Sequence, residues 1–167
     1  MITIELDDRE VLDYLHQLQQ RTGDMTPALQ EIGEYLIQST RERFGAGTAP
    51  DGTPWAENSP TTLSRKKGTQ PLIGETKRLS TEFSYFIGNN ELTFGSPIEY
   101  AAIQQFGGKQ GSSGRGRYKT RKGSFPIPWG DIPARPFIGI SDDDQVKILD
   151  IIQGYLVPND PIAPNAF

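Results

Sequence analysis

Hydrophobic and polar positions alternate at two different periods along this chain. Ile2, Ile4 and Leu6 are interleaved with Thr3 and Glu5, the two-residue period of a half-buried strand. Asp7 and Glu10 have the spacing of a capping box. They open a helix striped by Val11, Leu12, Leu15 and Leu18 and stopped by Thr22-Gly23-Asp24. Thr26-Pro27 starts a second helix, because proline at the first helical position loses no intrahelical bond. Leu29, Ile32, Tyr35 and Leu36 form its apolar face, and it should run to about Phe44, ahead of Gly45-Ala46-Gly47.

From 45 to 70 the periodicity disappears and Gly, Pro, Thr and Ser dominate. The Asp51-Gly52 pair predicts a turn that delivers Trp55 to a surface. A structureless stretch of this length in a compact domain is usually functional or mobile. Alternation returns at Leu79, Phe83, Tyr85 and Ile87. Gly88-Asn89-Asn90 turns the chain, and Leu92 and Phe94 lead back, which predicts a hairpin over 83–94. Ser96-Pro97-Ile98-Glu99 reads as a second capping box, opening a short helix that ends at Gly107-Gly108.

Four prolines between 126 and 136 exclude a helix there, and Phe137, Ile138 and Ile140 suggest a short edge strand. Ser141 caps a last helix, with Asp142, Asp143 and Asp144 in its first turn and Val146, Leu149, Ile152 and Leu156 expected to be buried. The order predicts one α+β domain over 1–156, with the N-terminal strand and the 83–94 hairpin in one small antiparallel sheet covered by amphipathic helices. Residues 45–70 and 107–125 are expected to be long flexible loops, and the proline-rich stretch 157–167 an extended arm.

Composition sharpens this picture. With 167 residues, a single domain can bury roughly 68–70% of its unfolded surface without disulfide or metal support. There is no cysteine, which is compatible with a reducing cytoplasm. The first residues, MITIELDDRE, place acids where a signal peptide would carry lysines. No run approaches the ~20 apolar residues of a membrane span. A protein of the intracellular space, without membrane contact, is therefore expected.

Charge is distributed unevenly. Net charge is −4, from 17 basic and 21 acidic residues. Residues 107–123, GGKQGSSGRGRYKTRKG, carry Lys109, Arg115, Arg117, Lys119, Arg121 and Lys122 and no acid, which leaves 11 basic against 21 acidic elsewhere, or −10. So acidic a body repels phosphate at long range, whereas a dedicated nucleic-acid domain is basic over a whole face. The basic loop is an exception that calls for a partner, and an acidic patch on a copy of the same chain would serve.

Catalytic chemistry finds little to stand on. His16 is the one histidine and lies within an amphipathic helix, whereas catalytic and zinc histidines come in constellations. Asp142–Asp144 lack the alternating ligand spacing and glycine turn of a calcium loop. No nucleophile elbow, Walker loop or dinucleotide fingerprint is present. The residues suggest no enzyme, cofactor or metal site.

Two stretches, EYAAIQQFGG (99–108) and IPARPFIGIS (132–141), flank the basic loop. Together with two N-terminal helices, PDGTPWAENSPTTL (50–63) and PLIGETKRLSTEF (71–83), they resemble the phage virion morphogenesis (tail completion) family of Mu-like and related tailed phages and prophages. The resemblance spans roughly residues 1–155, with one departure: Gln104 stands where the family commonly has histidine, which argues against a catalytic role there.

The resemblance implies a non-enzymatic structural protein acting in tail completion or head–tail joining. It would work in the host cytoplasm during assembly and then in the virion tail or neck. Its partners would be copies of itself, in a ring, and other tail or connector proteins. Heterologous contacts build rings, and a positive loop docking on an acidic neighbour is such a contact. The candidate contact residues are Trp55, Lys109, Arg115, Arg117, Tyr118, Lys119, Arg121, Lys122 and Arg135. Arg135, stiffened between two prolines, suits either an interface anchor or a bridge within the subunit. The alternative is a nucleic-acid binder using 109–122, with Tyr118 and Phe125 as stacking groups. The two overlap, since a loop lining a ring's lumen could touch passing DNA.

Overall fold

The architecture, taken from a computed structural model, is described for residues 9–88, 91–110, 117–120, 123–126 and 130–156. The predicted N-terminal strand, its Asp7 cap and the C-terminal arm lie outside these residues. Among the described residues the elements run α1 (Arg9–Thr22), α2 (Thr26–Ala46), α3 (Pro60–Leu63), α4 (Arg78–Thr81), β1 (Ser84–Ile87), β2 (Leu92–Gly95), α5 (Ala101–Phe106), β3 (Arg117–Thr120), β4 (Gly123–Pro126) and α6 (Asp142–Leu156). The class is α+β, as expected. β1 pairs with β2 and β3 with β4, each as a separate antiparallel hairpin.

The long helix α2 is the spine. Pro27 sits in its first turn, and Gly47, left-handed at φ 75°, ends it by donating to the Arg43 carbonyl at 2.7 Å. Two apolar clusters are strung along it. In the first, Leu29, Ile32 and Leu36 meet Val11 and Leu18 of α1 and Ile148, Ile151 and Ile152 of α6, with Ile87 and Leu92 against them. In the second, Phe44 meets Trp55, Leu79, Ile98, Phe137 and Ile138. Phe94 packs against both clusters. β1 crosses α2 at Gly33, where a Cβ would lie 2.7 Å from the Tyr85 ring.

Four local expectations are corrected. Ser96 does not cap α5: its hydroxyl donates to Glu82 O at 3.2 Å, and the helix begins later, at Ala101. The fully buried Ser96 is thus tied to the end of the preceding segment while still accepting from Ile98 N at 3.4 Å, a local turn that does not continue into the helix. Phe137 and Ile138 are buried but form no strand. Val146 is 61% exposed and Leu12 41% exposed, because the buried stripe of α6 runs through Asp144, Ile148, Ile151 and Ile152 and that of α1 through Val11 and Leu18.

The basic region, read as loop, contains the β3–β4 hairpin, with Arg117 opposite Pro126, Tyr118 opposite Phe125 and Lys119 opposite Ser124. Residues 45–70 follow a defined course. Ala49 and Thr53 close the predicted turn at 2.8 Å, Trp55 N donates to Gly47 O at 2.9 Å, and Asn58 Nδ2 donates to Thr69 O at 2.8 Å.

Candidate assembly interface

Apart from the bridge at Ile132, the stretch 132–138 belongs to no strand among the described residues, so its polar groups need other partners. Side chains supply most of them. Gln105, only 4% exposed on the inner face of α5, accepts from Phe137 N at 2.9 Å and Ile138 N at 3.0 Å. Its amide nitrogen donates to Ile138 O at 2.8 Å. One glutamine thereby does what a neighbouring strand would do. Trp55 Nε1 donates to Pro136 O at 2.7 Å, and Arg43 donates to Phe137 O and Gly139 O at 3.2 and 2.9 Å. Arg135 N donates to Gln104 O at 2.8 Å.

Gly108 and Ile132 exchange backbone bonds of 2.9 and 2.7 Å, closing the base of the 109–131 excursion. Gly107 precedes this bridge at φ 70°, and a Cβ there would fall 2.7 Å from Ala134 N. Glycine is required twice over, by conformation and by space. The stretches 99–108 and 132–141 thus form a clamp at the two ends of the excursion that carries the basic hairpin.

Arg43 carries the clamp into the rest of the fold. Its guanidinium bonds Ser39 Oγ at 3.0 Å and forms a buried ion pair with Asp144. Tyr35 and Ser39 donate to Asp144 Oδ1 at 2.9 and 2.5 Å. Ser141 and Asp144 complete a reciprocal cap, Ser141 N to Oδ2 at 2.8 Å and Asp144 N to Ser141 Oγ at 3.1 Å. Burial pushes the Asp144 carboxyl up, but bonds from Ser39 and the Ser141 amide, with the Arg43 charge, outweigh it and hold the pKa below its ordinary value. Burial, with the Asp144 carboxylate beside it, pushes the Tyr35 phenol up to about 12.

The predicted contact residues separate into two groups. Trp55, expected at a surface, is 6% exposed, its ring edge-on to Phe44 with centroids 5.2 Å apart. The Asp51-Gly52 turn folds the segment back onto Gly47 and so swings the indole inward. Arg135 is also 6% exposed and bridges within the subunit, from Nε to Ala56 O at 2.6 Å and from Nη2 to Glu57 O at 2.7 Å. Lys109 is exposed at the hairpin base, and Arg117, Tyr118 and Lys119 lie on β3. Arg115, Arg121 and Lys122 lie outside the described residues.

Sequence reasoning missed Gln105, Arg43 and the partners of Asp144. Asp144 had a signal, three residues after a capping serine. Arg43 had a weaker one, continuing the inner face of α2 next to Thr40 and Phe44.

Other chemistry is sparse. His16 is exposed, as are Asp142 and Asp143. No group of three or more metal-ligating side chains occurs among the described residues. None of their helices is long and apolar enough to cross a membrane.

A basic hairpin on an α+β body, with buried Arg43, Gln105, Arg135 and Asp144 all bonded within the fold, defines a class of small structural subunits. The chain belongs to the phage virion morphogenesis family, whose model matches residues 6–157. It is 33% identical to Mu-like prophage FluMu G protein 2 of Haemophilus influenzae over 156 residues, covering 93% of this chain and 96% of that protein. It is 29% identical to tail completion protein S of Escherichia phage P2 over 131 residues, covering 75% and 80%. No solved structure matches it significantly. Membership gives the chain a role in phage virion assembly.

Proposed function

We propose that the chain is a non-enzymatic subunit acting at tail completion or head–tail joining, and that the basic hairpin is its contact with a neighbouring subunit. The observation that carries this reading is the clamp. Two sequence stretches converge on the base of the excursion that carries one basic hairpin, and they are tied together through Gln105, Gly107 and Arg43. A counterpart is available on the same molecule. Asp51, Asp142 and Asp143, all exposed, line a depression beside the start of α6. A cationic hairpin entering this depression on the next copy is a heterologous contact of the kind that closes rings. Such a subunit works in the host cytoplasm and stays in the tail or neck, meeting tail or connector proteins there.

Changing Arg115, Arg117, Lys119, Arg121 and Lys122 together to Gln tests this reading. The variant should fold, since solvated charges add little stability. Self-association or attachment to virion intermediates should fall. Duplex DNA affinity is expected to be weak in the parent, since at most about six phosphates could be neutralised. Tight, steeply salt-dependent DNA binding that the variant loses, with assembly unchanged, would instead support the nucleic-acid reading.

A further inference from the structure

Beside the clamp lies a cavity of about 660 Å³ that the assembly reading leaves unused. Lys66, Lys77, Arg78 and Arg135 line it, against the carboxylates Glu57 and Asp131. Arg78 is already committed to Glu82, with bonds of 2.6 and 2.9 Å. Three cations then face two carboxylates, an excess of one positive charge. Leu72, Leu79, Ile103 and Ile132 supply apolar wall.

Arg135 is the unusual member. It is 6% exposed, yet only two main-chain carbonyls receive its bonds, and no carboxylate among the described residues pairs with it. Lys66 is half-buried nearby and donates to Gln70 O. Burial, and then the Arg135 charge, lower the Lys66 pKa. Two like charges thus share the wall of one partly buried cavity whose lining keeps a net positive charge, which favours a further anion there. The backbone is also constrained here. Leu72 and Lys77 are the non-glycine residues with positive φ among those described, at 61° and 54°, and both line the cavity. Strained residues of this kind cluster at ligand sites.

We propose that this cavity binds a carboxylate, presented by an Asp or Glu side chain of a partner protein and flanked by apolar residues, with Arg135 and Lys66 as its cationic contacts. A single excess charge suits one monoanion. Glu57 and Asp131 oppose a polyanion, and the apolar walls match side chains rather than a sugar–phosphate backbone. The inference builds on the assembly reading yet is tested apart from it, because the hairpin variant leaves the cavity intact.

The experiment is an NMR titration of the full-length chain with the peptide acetyl-Pro-Asp-Ile-Pro-amide, its Asn counterpart, and inorganic phosphate. Substituting Arg135 would orphan two carbonyls and risk the fold, so Lys66→Gln is the variant of choice, with its thermal midpoint as the folding control. The Asp peptide should give saturable shifts in residues 57–79 and 100–104. Affinity should fall at least tenfold for the Asn peptide and at least tenfold with Lys66→Gln. Equal binding of the two peptides, no saturation by about 10 mM, or indifference to Lys66→Gln would each overturn the proposal. So would phosphate binding more tightly than the Asp peptide with the same Lys66 dependence, which would point to a nucleic-acid backbone.

Discussion

Arg43 and Asp144, 101 positions apart, form an ion pair whose side chains are 8% and 2% exposed. Removing one partner leaves the other charge buried, which typically costs about 3–5 kcal/mol. Asp144→Asn should therefore lower the urea midpoint strongly at neutral pH. The double variant Arg43→Met with Asp144→Asn should be less destabilised than the two single losses added together. Full additivity in that cycle would show that the pair is not coupled.

The same carboxylate sets an acid dependence. Its folded pKa lies below the ordinary 3.8, so its stabilisation is present above that value and lost as pH falls through the folded one. Stability of the parent should drop below about pH 4 by more than that of Asp144→Asn. Parallel urea melts at pH 6 and pH 3 check this. Equal losses in the two proteins would contradict it.

Tyr35 titrates at the opposite end. Its phenol is pushed up to about 12, so the associated stability is present below its ordinary value of 10 and lost as pH rises through 12. Ultraviolet titration of the native protein should show a late phenolate transition that Tyr35→Phe removes.

Gln105→Met keeps the volume but orphans two amides and one carbonyl in the clamp. At roughly 1–3 kcal/mol per unsatisfied buried group, the loss should exceed about 3 kcal/mol. Chemical denaturation measures it, and a loss below 1 kcal/mol would mean that the extended segment finds other partners.

Gly107 and Gly47 both have positive φ, at 70° and 75°, but Gly107, at ψ −178°, lies in a region open essentially to glycine alone, and only Gly107 is enclosed. Gly47→Ala should cost about 1–2 kcal/mol, the conformational penalty alone. Gly107→Ala adds a clash with Ala134 N and Ile132 O and should cost clearly more, with hydrogen exchange rising first at Gly108 and Ile132. Similar losses at the two sites would remove the steric part of this account.

Local chemistry made much of this protein readable before its structure. The apolar stripe of α2, the Pro27 start, the hairpin expected over 83–94 and found at 84–95, and the Ser141 cap depend on neighbours within a few residues, and helical or strand period exposes them directly. The class followed from their order, and the family from the stretches 99–108 and 132–141. Trp55, Gln105 and Arg43 were different. Each acts on a backbone group or ring brought near only by folding, as when Gln105 serves amides 32 and 33 positions away. A buried polar side chain has no period of its own. Its identity shows in sequence, whereas its partner is decided by which surfaces the apolar clusters press together.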